Sequence, residues 1–420
     1  MEARSLQLLF HPSASATLIV GRLSVTSRAG PNSLFDESRL LIIVGDQTRI
    51  IADARVENRA ARSIRQLTAK RNTTSRGTTM RAAWYEKHGS ARDVLVVGEM
   101  IDPEPTDGEV RIRLAVSGIN PGDMKKRSGW QGAPMRYARV IPHSDGAGVI
   151  DAVGAGVSPD RIGQHVWCYG AQPYRPFGTA AELVVVRAEF AVPLPFSARN
   201  ASEVELAEQA ACLGIAGITA HRAIFADGSV AGLSVLVHGA AGGVGSIAVQ
   251  LARRDGAQVI AIVRDQAQVN AVGEIGAHHA FLADDPDLVA HIRQAAPDGV
   301  HRIAEVDLAS HIEVDAAVIA VGGVISAYYS SQDRPAIPYW QLGFANVTLR
   351  LLGSDDFNPS VKAQATRELT DALIDGSLRV NIAARFPLAE IAHAHELLEQ
   401  GAGGRVLIQL AERNFATCEL

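Results

Sequence analysis

A glycine-rich turn near residue 240 has the residue types and spacing of a phosphate-binding site. The turn comprises Gly239, Ala240, Gly242, Gly243, Val244 and Gly245. A pyrophosphate can approach the backbone closely only where no Cβ intervenes, and the free N–H groups at a helix N-terminus attract its negative charge. One residue more lies between the first two glycines than in the usual G-x-G-x-x-G pattern. The composition nevertheless predicts a dinucleotide-binding turn, with an ordinary glycine-rich turn as the alternative.

A second group of polar side chains follows residue 117. Asn120 and Asp123 could orient a carbonyl group or a water molecule, although Asn-Pro-Gly-Asp is also an ordinary turn sequence. Lys125 is followed by Lys126 and Arg127, and these three residues could equally form a solvated basic face of a helix. This segment is therefore a candidate for chemistry, with a capped turn as the alternative.

The elements around the glycine turn predict the fold that positions it. Val235 to Val237 form an apolar run typical of a buried strand, and apolar residues recur at helical spacing from Val244 to Ala252. Strands and helices then alternate as far as Tyr328, beginning with a strand from Gln258 to Val263. This alternation predicts a doubly wound α/β domain with a parallel sheet.

Short strand-like runs precede this domain. They begin at Val94, end near Val186, and are separated by glycine, proline and aspartate, which predicts a compact β-rich domain. A helix is predicted from Glu208 to Ala223, interrupted by the segment that begins Gly214-Ile-Ala-Gly217. A second helix is predicted from Phe386 to Glu399, and a strand from Arg405 to Leu410.

Residues 1–79 differ from the rest of the chain. Arginine, serine and threonine are frequent, and the apolar patches are short, at Thr17 to Val20 and Leu40 to Val44. The segment lacks the apolar region of a secretory signal, and its acidic residues argue against an organellar transit peptide. We predict a poorly ordered extension.

Composition excludes several classes of protein. The formal net charge of −5 offers no basic surface for nucleic acid or an anionic membrane, and no apolar run reaches the roughly 18 residues that span a bilayer. Three widely spaced cysteines argue against a disulfide scaffold and suit a reducing compartment. We therefore expect a cytoplasmic protein without a nucleic-acid or membrane partner.

Four motifs together resemble the medium-chain dehydrogenase/reductase superfamily, and within it the zinc-free quinone oxidoreductases of the zeta-crystallin type. The motifs are Gly118-Ile-Asn-Pro-Gly-Asp123, Asp145-Gly-Ala-Gly-Val149, His238-Gly-Ala-Ala-Gly-Gly-Val-Gly245 and Gly403-Gly-Arg-Val-Leu407. The resemblance runs from Met80 to about Leu410 and implies an α/β protein of two folded domains. These are a GroES-like β-rich catalytic domain at 80–205 and 355–420 and a Rossmann NADPH-binding domain at 206–354, with the active site in the cleft between them.

The resemblance also speaks against catalytic zinc. Zinc-dependent members of the superfamily place a cysteine where Asn120 stands, and a histidine–glutamate pair where Ser144 and Asp145 stand. Catalytic zinc needs three protein ligands, and His143, one residue away, is more typical of a surface or hydrogen-bonded histidine. Without a metal ion to polarise an alcohol, the resemblance implies hydride transfer to an acceptor that is already electrophilic, such as a quinone or an α,β-unsaturated carbonyl compound.

The resemblance implies roles for three further residues. Many relatives carry a tyrosine at the position of Lys125, and a lysine there could donate to a developing enolate or hydroquinone oxygen. Thr219 is implied to lie against the nicotinamide, with a small-residue helix contact as the alternative. Arg405 stands where relatives carry a lysine near the coenzyme phosphates. By its position at the carboxyl edge of the sheet, Tyr328 or Tyr329 could wall the nicotinamide, with core packing as the alternative.

The choice of coenzyme depends on the end of the second strand of the parallel sheet. Sites that prefer NAD usually carry a carboxylate there, which accepts a hydrogen bond from the ribose 2′-OH. Matched to the family pattern, this position falls on Val263, so Arg264 is free to pair with the 2′-phosphate of NADPH. A shift of one or two residues would instead put Asp265 in the NAD position. We expect NADPH.

We therefore expect an NADPH-dependent oxidoreductase for a small quinone or enone, forming a homodimer through a strand near Asn346 to Leu352. Two alternatives stay open. One is a 2-enoyl-thioester reductase, whose relatives usually rely on a tyrosine donor that Lys125 does not supply. The other is a catalytically idle NADPH-binding protein with a structural or RNA-associated role.

Overall fold

The protein is described here from a computed structural model, which covers residues 78–195 and 202–410 in full and the backbone of four strands between residues 7 and 51. The chain divides into two compact units, Met1–Gly77 and Thr78–Leu420. No helix in the described ranges is long and apolar enough to cross a membrane.

The first unit contains an antiparallel sheet with strand order β1-β2-β3-β4. Its strands are β1 (Gln7–Leu9), β2 (Leu18–Val25), β3 (Glu37–Val44) and β4 (Gln47–Ile51). The poorly ordered extension expected at residues 1–79 stays a prediction, and the structure assigns strands to part of this segment. The apolar patches near residues 20 and 42 fall within β2 and β3, where their β-branched residues favour strands. The other residues before Thr78 lie outside the described residues.

The second unit contains the remaining strands and all the described helices. The strands are β5 (Thr79–Trp84), β6 (Val96–Ile101), β7 (Glu109–Gly118), β8 (Asp145–Val153), β9 (His165–Cys168), β10 (Leu183–Arg187), β11 (Ala191–Pro193), β12 (Ser234–His238), β13 (Gln258–Val263), β14 (His279–Leu282), β15 (Val300–Glu305), β16 (Ile319–Ala327), β17 (Thr348–Leu351), β18 (Ile382–Pro387) and β19 (Arg405–Gln409). The helices are α1 (Ala91–Val94), α2 (Pro121–Ser128), α3 (Glu203–Ala210), α4 (Ile218–Phe225), α5 (Gly243–Arg254), α6 (Gln266–Glu274), α7 (Leu288–Ala295), α8 (Leu308–Val318), α9 (Tyr339–Phe344), α10 (Pro359–Asp375) and α11 (Ile391–Gln400), with a π-helix at Leu213–Gly217.

The β-rich half of this unit is a mostly antiparallel sheet in the order β11-β9-β8-β7-β19-β18, with β10 paired to β7. Strand β19 returns from far along the chain to pair with β7, so that Leu407 lies opposite Gly118. On the other side of β7, Gly118 lies opposite Asp145, the first residue of β8. These pairings bring Arg405, Asn120 and Asp145 to one end of the sheet.

The other half is a parallel sheet in the order β14-β13-β12-β15-β16-β17, which is the order of a dinucleotide-binding fold. Alternate residues of β12 face opposite sides: Val235 and Val237 pack into the core formed with α4, α5 and α10, whereas Leu236 packs into the core formed with α7 and α8. Because both faces are covered, the strands read as continuous apolar runs. The predicted fold class, a β-rich domain joined to a doubly wound parallel sheet, is confirmed.

The interrupted helix predicted from Glu208 to Ala223 is divided as expected, since α3 ends at Ala210 and a π-helix at Leu213–Gly217 precedes α4. Two other element predictions were wrong. The helix predicted from Phe386 begins only at Ile391, since Phe386 is part of β18. Val94, predicted to start a strand, ends the short helix α1.

Candidate active site

The glycine turn connects β12 to α5 with almost no free space. Gly239 has a positive φ of 60°, and its carbonyl accepts a hydrogen bond from the Gly242 N–H at 2.8 Å. A Cβ on Gly245 would lie 2.2 Å from the Gly239 oxygen and 2.9 Å from the Ala240 Cα. Ala240 donates to the Ile262 carbonyl at 3.0 Å, which fixes the turn to the neighbouring strand. Only glycine fits at position 245, so α5 packs directly on the turn.

The N-terminus of α5 is suited to an anion. Its N-cap is Gly242, which has no side chain to cap the helix, and the first N–H groups, those of Gly243, Val244 and Gly245, have no acceptor within the helix. The guanidinium group of Arg405 lies beside these N–H groups. Its proximity is shown by Gly243, where an added Cβ would be 3.0 Å from Arg405 Nη1. Unpaired N–H groups and a nearby arginine both favour a phosphate at this position.

Arg264 and Asp265 follow the end of β13 and are both exposed. Asp265 is the N-cap of α6, and its Oδ1 accepts a hydrogen bond from the Gln268 N–H at 3.1 Å. The Arg264 side chain forms no ion pair with any residue that the structure describes, and only its backbone N–H is used, by Gln268. The carboxylate is therefore engaged in helix capping, whereas the guanidinium group is available to a ligand.

A buried hydrogen-bond chain links the β-rich half to the π-helix. Arg405 Nη2 donates to Asn120 Oδ1 at 2.8 Å, and Asn120 Nδ2 donates to Asp145 Oδ2 at 2.7 Å. The same Asp145 oxygen accepts from the Ile215 N–H at 2.9 Å, and a Cβ on Gly214 would lie 2.0 Å from Asp145 Oδ1. Burial raises the pKa of Asp145 to about 6, against the lowering effect of these hydrogen bonds. This contact explains the division of the predicted helix, because it captures a backbone N–H that would otherwise bond within the helix.

Asp123 and Lys125, two of the three predicted catalytic residues, have different surroundings. Asp123 is buried, and its Oδ2 accepts a hydrogen bond from the Asn120 N–H at 2.8 Å, as in a capping box. Burial raises the pKa of Asp123 to about 7, against the lowering effect of Lys126. Its carboxylate therefore holds the start of α2, which agrees with the capped-turn alternative.

Lys125 extends from α2 to the carboxyl edge of the parallel sheet. Its Nζ lies 3.3 Å from the ring centroid of Tyr329 and 5.6 Å from that of Trp130. Burial lowers the pKa of Lys125, and the negative charge of Asp307 opposes this. The lysine is therefore half-buried beside two aromatic rings, and the alternative of a fully solvated basic face does not describe it.

Thr219 and Tyr328 belong to the half of the unit that contains the parallel sheet. Thr219 is buried, and its hydroxyl donates to the Ile215 carbonyl at 2.6 Å, so it supports the π-helix. Tyr328 follows β16 and is half-buried, and its N–H donates to the Glu305 carbonyl at 3.0 Å. Burial raises the pKa of its phenol. Of the two neighbouring tyrosines, Tyr329 is the one in contact with Lys125.

His143 is a buried, hydrogen-bonded histidine. It has a φ of 74°, its Nδ1 lies 2.9 Å from Ser117 Oγ, and its Nε2 lies 2.9 Å from His395 Nε2. Ser117 Oγ is also hydrogen-bonded to Thr179 Oγ1, and the Thr179 hydroxyl donates to the Asp145 carbonyl at 2.7 Å. Burial lowers the pKa of both histidines, that of His395 to about 3, so both rings are neutral.

Sequence reasoning did not identify a cluster of four ionisable groups below the glycine turn. The cluster comprises His238, Glu305, His311 and Asp315. His238 and Glu305 end two adjacent parallel strands, and this shared position at the carboxyl edge was the available signal. His311 and Asp315 come from α8, one turn apart, and nothing in their local sequence distinguishes them from ordinary helix residues.

Two cavities border these elements. A cavity of about 270 Å³ beside α2 is lined by apolar and aromatic side chains that include Tyr85, Trp130, Met135 and Tyr137. An ion pair at 3.2 Å between Lys126 and Asp355 lies at its wall. A larger cavity of about 550 Å³ opens against the π-helix, and neither the glycine turn nor Lys125 lines either of the two cavities.

Two family descriptions match this chain. Residues 106–196 match the alcohol dehydrogenase GroES-like domain, and residues 243–364 match the zinc-binding dehydrogenase family. Quinone oxidoreductase of Rattus norvegicus is 29% identical over 344 residues, which cover 79% of this chain and 98% of that protein. Its Homo sapiens counterpart is 28% identical over 345 residues, with the same two shares covered.

Solved structures share the fold. A mycobacterial protein in complex with NADPH is 26% identical, with a TM-score of 0.67, and the match covers 79% of this chain and 99% of that one. An NAD-dependent alcohol dehydrogenase is 25% identical, with a TM-score of 0.68, and the match covers 79% of this chain and 100% of that one.

Proposed function

Because the chain is an oxidoreductase of the medium-chain dehydrogenase/reductase superfamily, we propose that it uses NADPH to reduce a quinone or an α,β-unsaturated carbonyl compound without a catalytic metal ion. The observation that carries this proposal is the position of Lys125. Its ammonium group lies against Tyr329, at the carboxyl edge of the parallel sheet where such folds bind the coenzyme. This contact supports Lys125, which belongs to the β-rich half of the unit, as a proton donor close to where bound coenzyme would present its hydride.

The chain fits NADPH in two respects. The glycine turn leaves backbone N–H groups open to a pyrophosphate, and Arg405 adds a positive charge beside them. Arg264 is exposed and free of ion pairs among the described residues, at the strand end where the 2′-phosphate is recognised, while Asp265 is engaged in capping. The mycobacterial relative, whose structure contains NADPH, supports this choice of coenzyme.

The residues at the superfamily's catalytic zinc position do not fit the ion. Asn120 and Ser144 stand where zinc-dependent members have a cysteine and a histidine, and neither residue supplies a thiolate or an imidazole. The Asn120 oxygen already accepts a hydrogen bond from the Arg405 guanidinium at 2.8 Å. A dication bound there would be repelled by this buried positive charge, so we assign no catalytic step to zinc.

In the proposed reaction, NADPH supplies the hydride when it is bound. The glycine turn and Arg405 hold the phosphates. Asp145 accepts a hydrogen bond from Ile215 of the π-helix, and the Ile215 carbonyl in turn positions the Thr219 hydroxyl. The aromatic cavity beside α2 suits a flat apolar substrate. Lys125 donates the single proton that balances the hydride, to the carbonyl oxygen as negative charge develops there, and solvent then returns a proton to the lysine.

The proposal is tested by following the oxidation of NADPH and of NADH with a panel of quinones, enones and 2-enoyl thioesters. We expect turnover with a quinone or an enone, and faster turnover with NADPH than with NADH. Turnover confined to enoyl thioesters would replace the substrate assignment. Saturable NADPH binding without turnover on any of the three classes would contradict the proposed reaction.

We also propose that two copies of the chain pair along β17. This strand is the edge of the parallel sheet, and the exposed fractions of Trp340, Phe344 and Leu351 near it are 71%, 79% and 72%. An unpaired edge beside exposed apolar side chains is the kind of surface that a second copy covers. Light scattering after size exclusion should give twice the chain mass for the wild type and for the control Ile101→Asp, and a single mass for Phe344→Asp. A monomeric wild type would overturn this.

A reducing compartment such as the cytoplasm remains our prediction. Cys168 and Cys212, the cysteines that the structure describes, are both free and buried.

A further inference from the structure

We propose that the protein binds one divalent transition-metal ion, of the zinc class, between His238, Glu305, His311 and Asp315. The proposed site lies directly below the glycine turn, since His238 is the residue before Gly239. It joins the ends of β12 and β15 to the first turns of α8. None of its residues belongs to the Asn120–Asp145–Arg405 chain, so it is separate from the superfamily's catalytic zinc position.

The donor atoms of His238, Glu305 and His311 are already close to the spacing of a coordination shell, and Asp315 adjoins them through its contact with His238. His238 Nε2 lies 2.8 Å from Asp315 Oδ1 and 3.5 Å from Glu305 Oε2, and His311 Nδ1 lies 2.8 Å from Glu305 Oε1. One ligand atom from each of His238, Glu305 and His311 falls within 4.8 Å of the others. In tetrahedral zinc sites with bonds of about 2.0–2.1 Å, ligand atoms lie about 3.3 Å apart. The two imidazole rings are stacked with centroids 4.4 Å apart, so binding requires them to tilt until both nitrogens point at one centre.

The cluster contains buried polar atoms that lack a partner. Glu305 and Asp315 have no solvent exposure, yet Glu305 Oε2 and Asp315 Oδ2 accept no hydrogen bond from any described residue. No arginine or lysine forms an ion pair with either carboxyl group in the described part of the chain, where their ionisable partners are the two histidines. Burial raises the pKa of Asp315 to about 7, and its side chain can hydrogen-bond to that of Glu305, so the two carboxyl groups can share a proton when no metal is bound. A dication would take the place of this proton and give the two oxygens a ligand role.

The ligand set indicates the class of ion. Two imidazole nitrogens with two carboxylates suit zinc, cobalt or iron, whereas magnesium and calcium prefer oxygen ligands alone. Because the site is enclosed by strands and a helix, an ion there would have a structural role and would hold the glycine turn to α8. It would not act as an electrophile toward substrate.

The test uses the untagged full chain, produced separately in zinc-supplemented and cobalt-supplemented medium and dialysed without chelator. Elemental analysis should give close to one metal ion per chain. The cobalt form should show visible d–d absorption but no thiolate charge-transfer band, because no cysteine belongs to the cluster. A wild type that retains no zinc and no cobalt would overturn the proposal.

Variants locate the ion. His311→Gln and Asp315→Asn should each lose the bound metal, whereas His291→Gln should keep it, because His291 pairs with Asp285 on a surface helix outside the cluster. Circular dichroism establishes that each variant is folded, and metal retained by both cluster variants at the wild-type level would contradict the assignment. Metal content is measured without coenzyme or substrate, so this test fails or succeeds independently of the proposed reaction.

Discussion

Replacing Gly245 by alanine tests the packing on which the coenzyme site depends. The new Cβ would lie 2.2 Å from the Gly239 oxygen and 2.8 Å from the Gly239 carbonyl carbon, whereas ordinary van der Waals contact begins at 3.4 Å. Both neighbours are backbone atoms, so no side chain can move aside. Helix α5 must therefore shift by about 1 Å, and overpacking of this kind costs roughly 1–3 kcal/mol of unfolding free energy.

The same shift moves the backbone N–H groups that are proposed to bind the coenzyme phosphates. Hydrogen bonds to a charged group contribute about 1.5–3 kcal/mol, so misplacing them should weaken NADPH binding roughly 10- to 100-fold. Gly273→Ala is the matched control, because this glycine is also helical and a Cβ there meets nothing within 4 Å. It should leave binding unchanged and stabilise the protein by up to about 1 kcal/mol.

Two measurements check this pair of variants. Thermal unfolding should give a lower midpoint for Gly245→Ala than for the wild type, and an equal or higher midpoint for Gly273→Ala. Titration with NADPH, followed by its fluorescence, should show the loss of affinity in the first variant alone. If Gly245→Ala unfolds and binds like Gly273→Ala, the steric argument for this turn is refuted.

Three other changes have definite expected results. Arg264→Ala should weaken NADPH binding roughly 10- to 100-fold and leave NADH binding unchanged, while Arg334→Ala changes neither; equal losses for both coenzymes would contradict the 2′-phosphate assignment. Lys125→Met should lower kcat with a quinone roughly 100-fold without changing NADPH affinity, whereas Lys87→Met should have no effect on either. Asp123 has a pKa of about 7 in the fold, above its ordinary value of 3.8, so its contribution to stability is complete below about pH 4 and lost as the pH rises to 7. Asp123→Asn should therefore reduce the decline in unfolding free energy between pH 4 and 7 by up to about 1.4 kcal/mol per pH unit, measured by urea unfolding, and an unchanged slope would refute the assignment.

The parallel sheet was readable from the sequence because its signals are local. Strand β13 was predicted with its observed bounds, Gln258–Val263, since both faces of such a strand are covered and the apolar run is continuous. The glycine turn also showed where the first strand of this sheet ends and the next helix begins. In contrast, β18 alternates half-buried and exposed residues and contains Arg385 and Pro387, so its pairing with β19 could not be inferred from its composition.

The parts of the site that were missed depend on contacts between distant residues. The interruption of the helix near Gly214 was predicted, but the hydrogen bond from the Ile215 N–H to Asp145, some seventy residues earlier, was not. Likewise, the proximity of His311 to Glu305 depends on how α8 folds back over the sheet. No local pattern carries this information, because the same helical residues could face solvent on a different scaffold.

The return of β19 to β7 has a consequence for the timing of folding. Arg405 and Asn120, which are hydrogen-bonded beside the proposed phosphate site, are separated by 285 positions. The ribosome must therefore translate beyond residue 409 before β19 can pair with β7. Until then the glycine turn lacks the neighbouring Arg405. Non-local pairings of this kind form slowly. The proposed coenzyme site, which needs both the glycine turn and Arg405, is therefore completed late in folding.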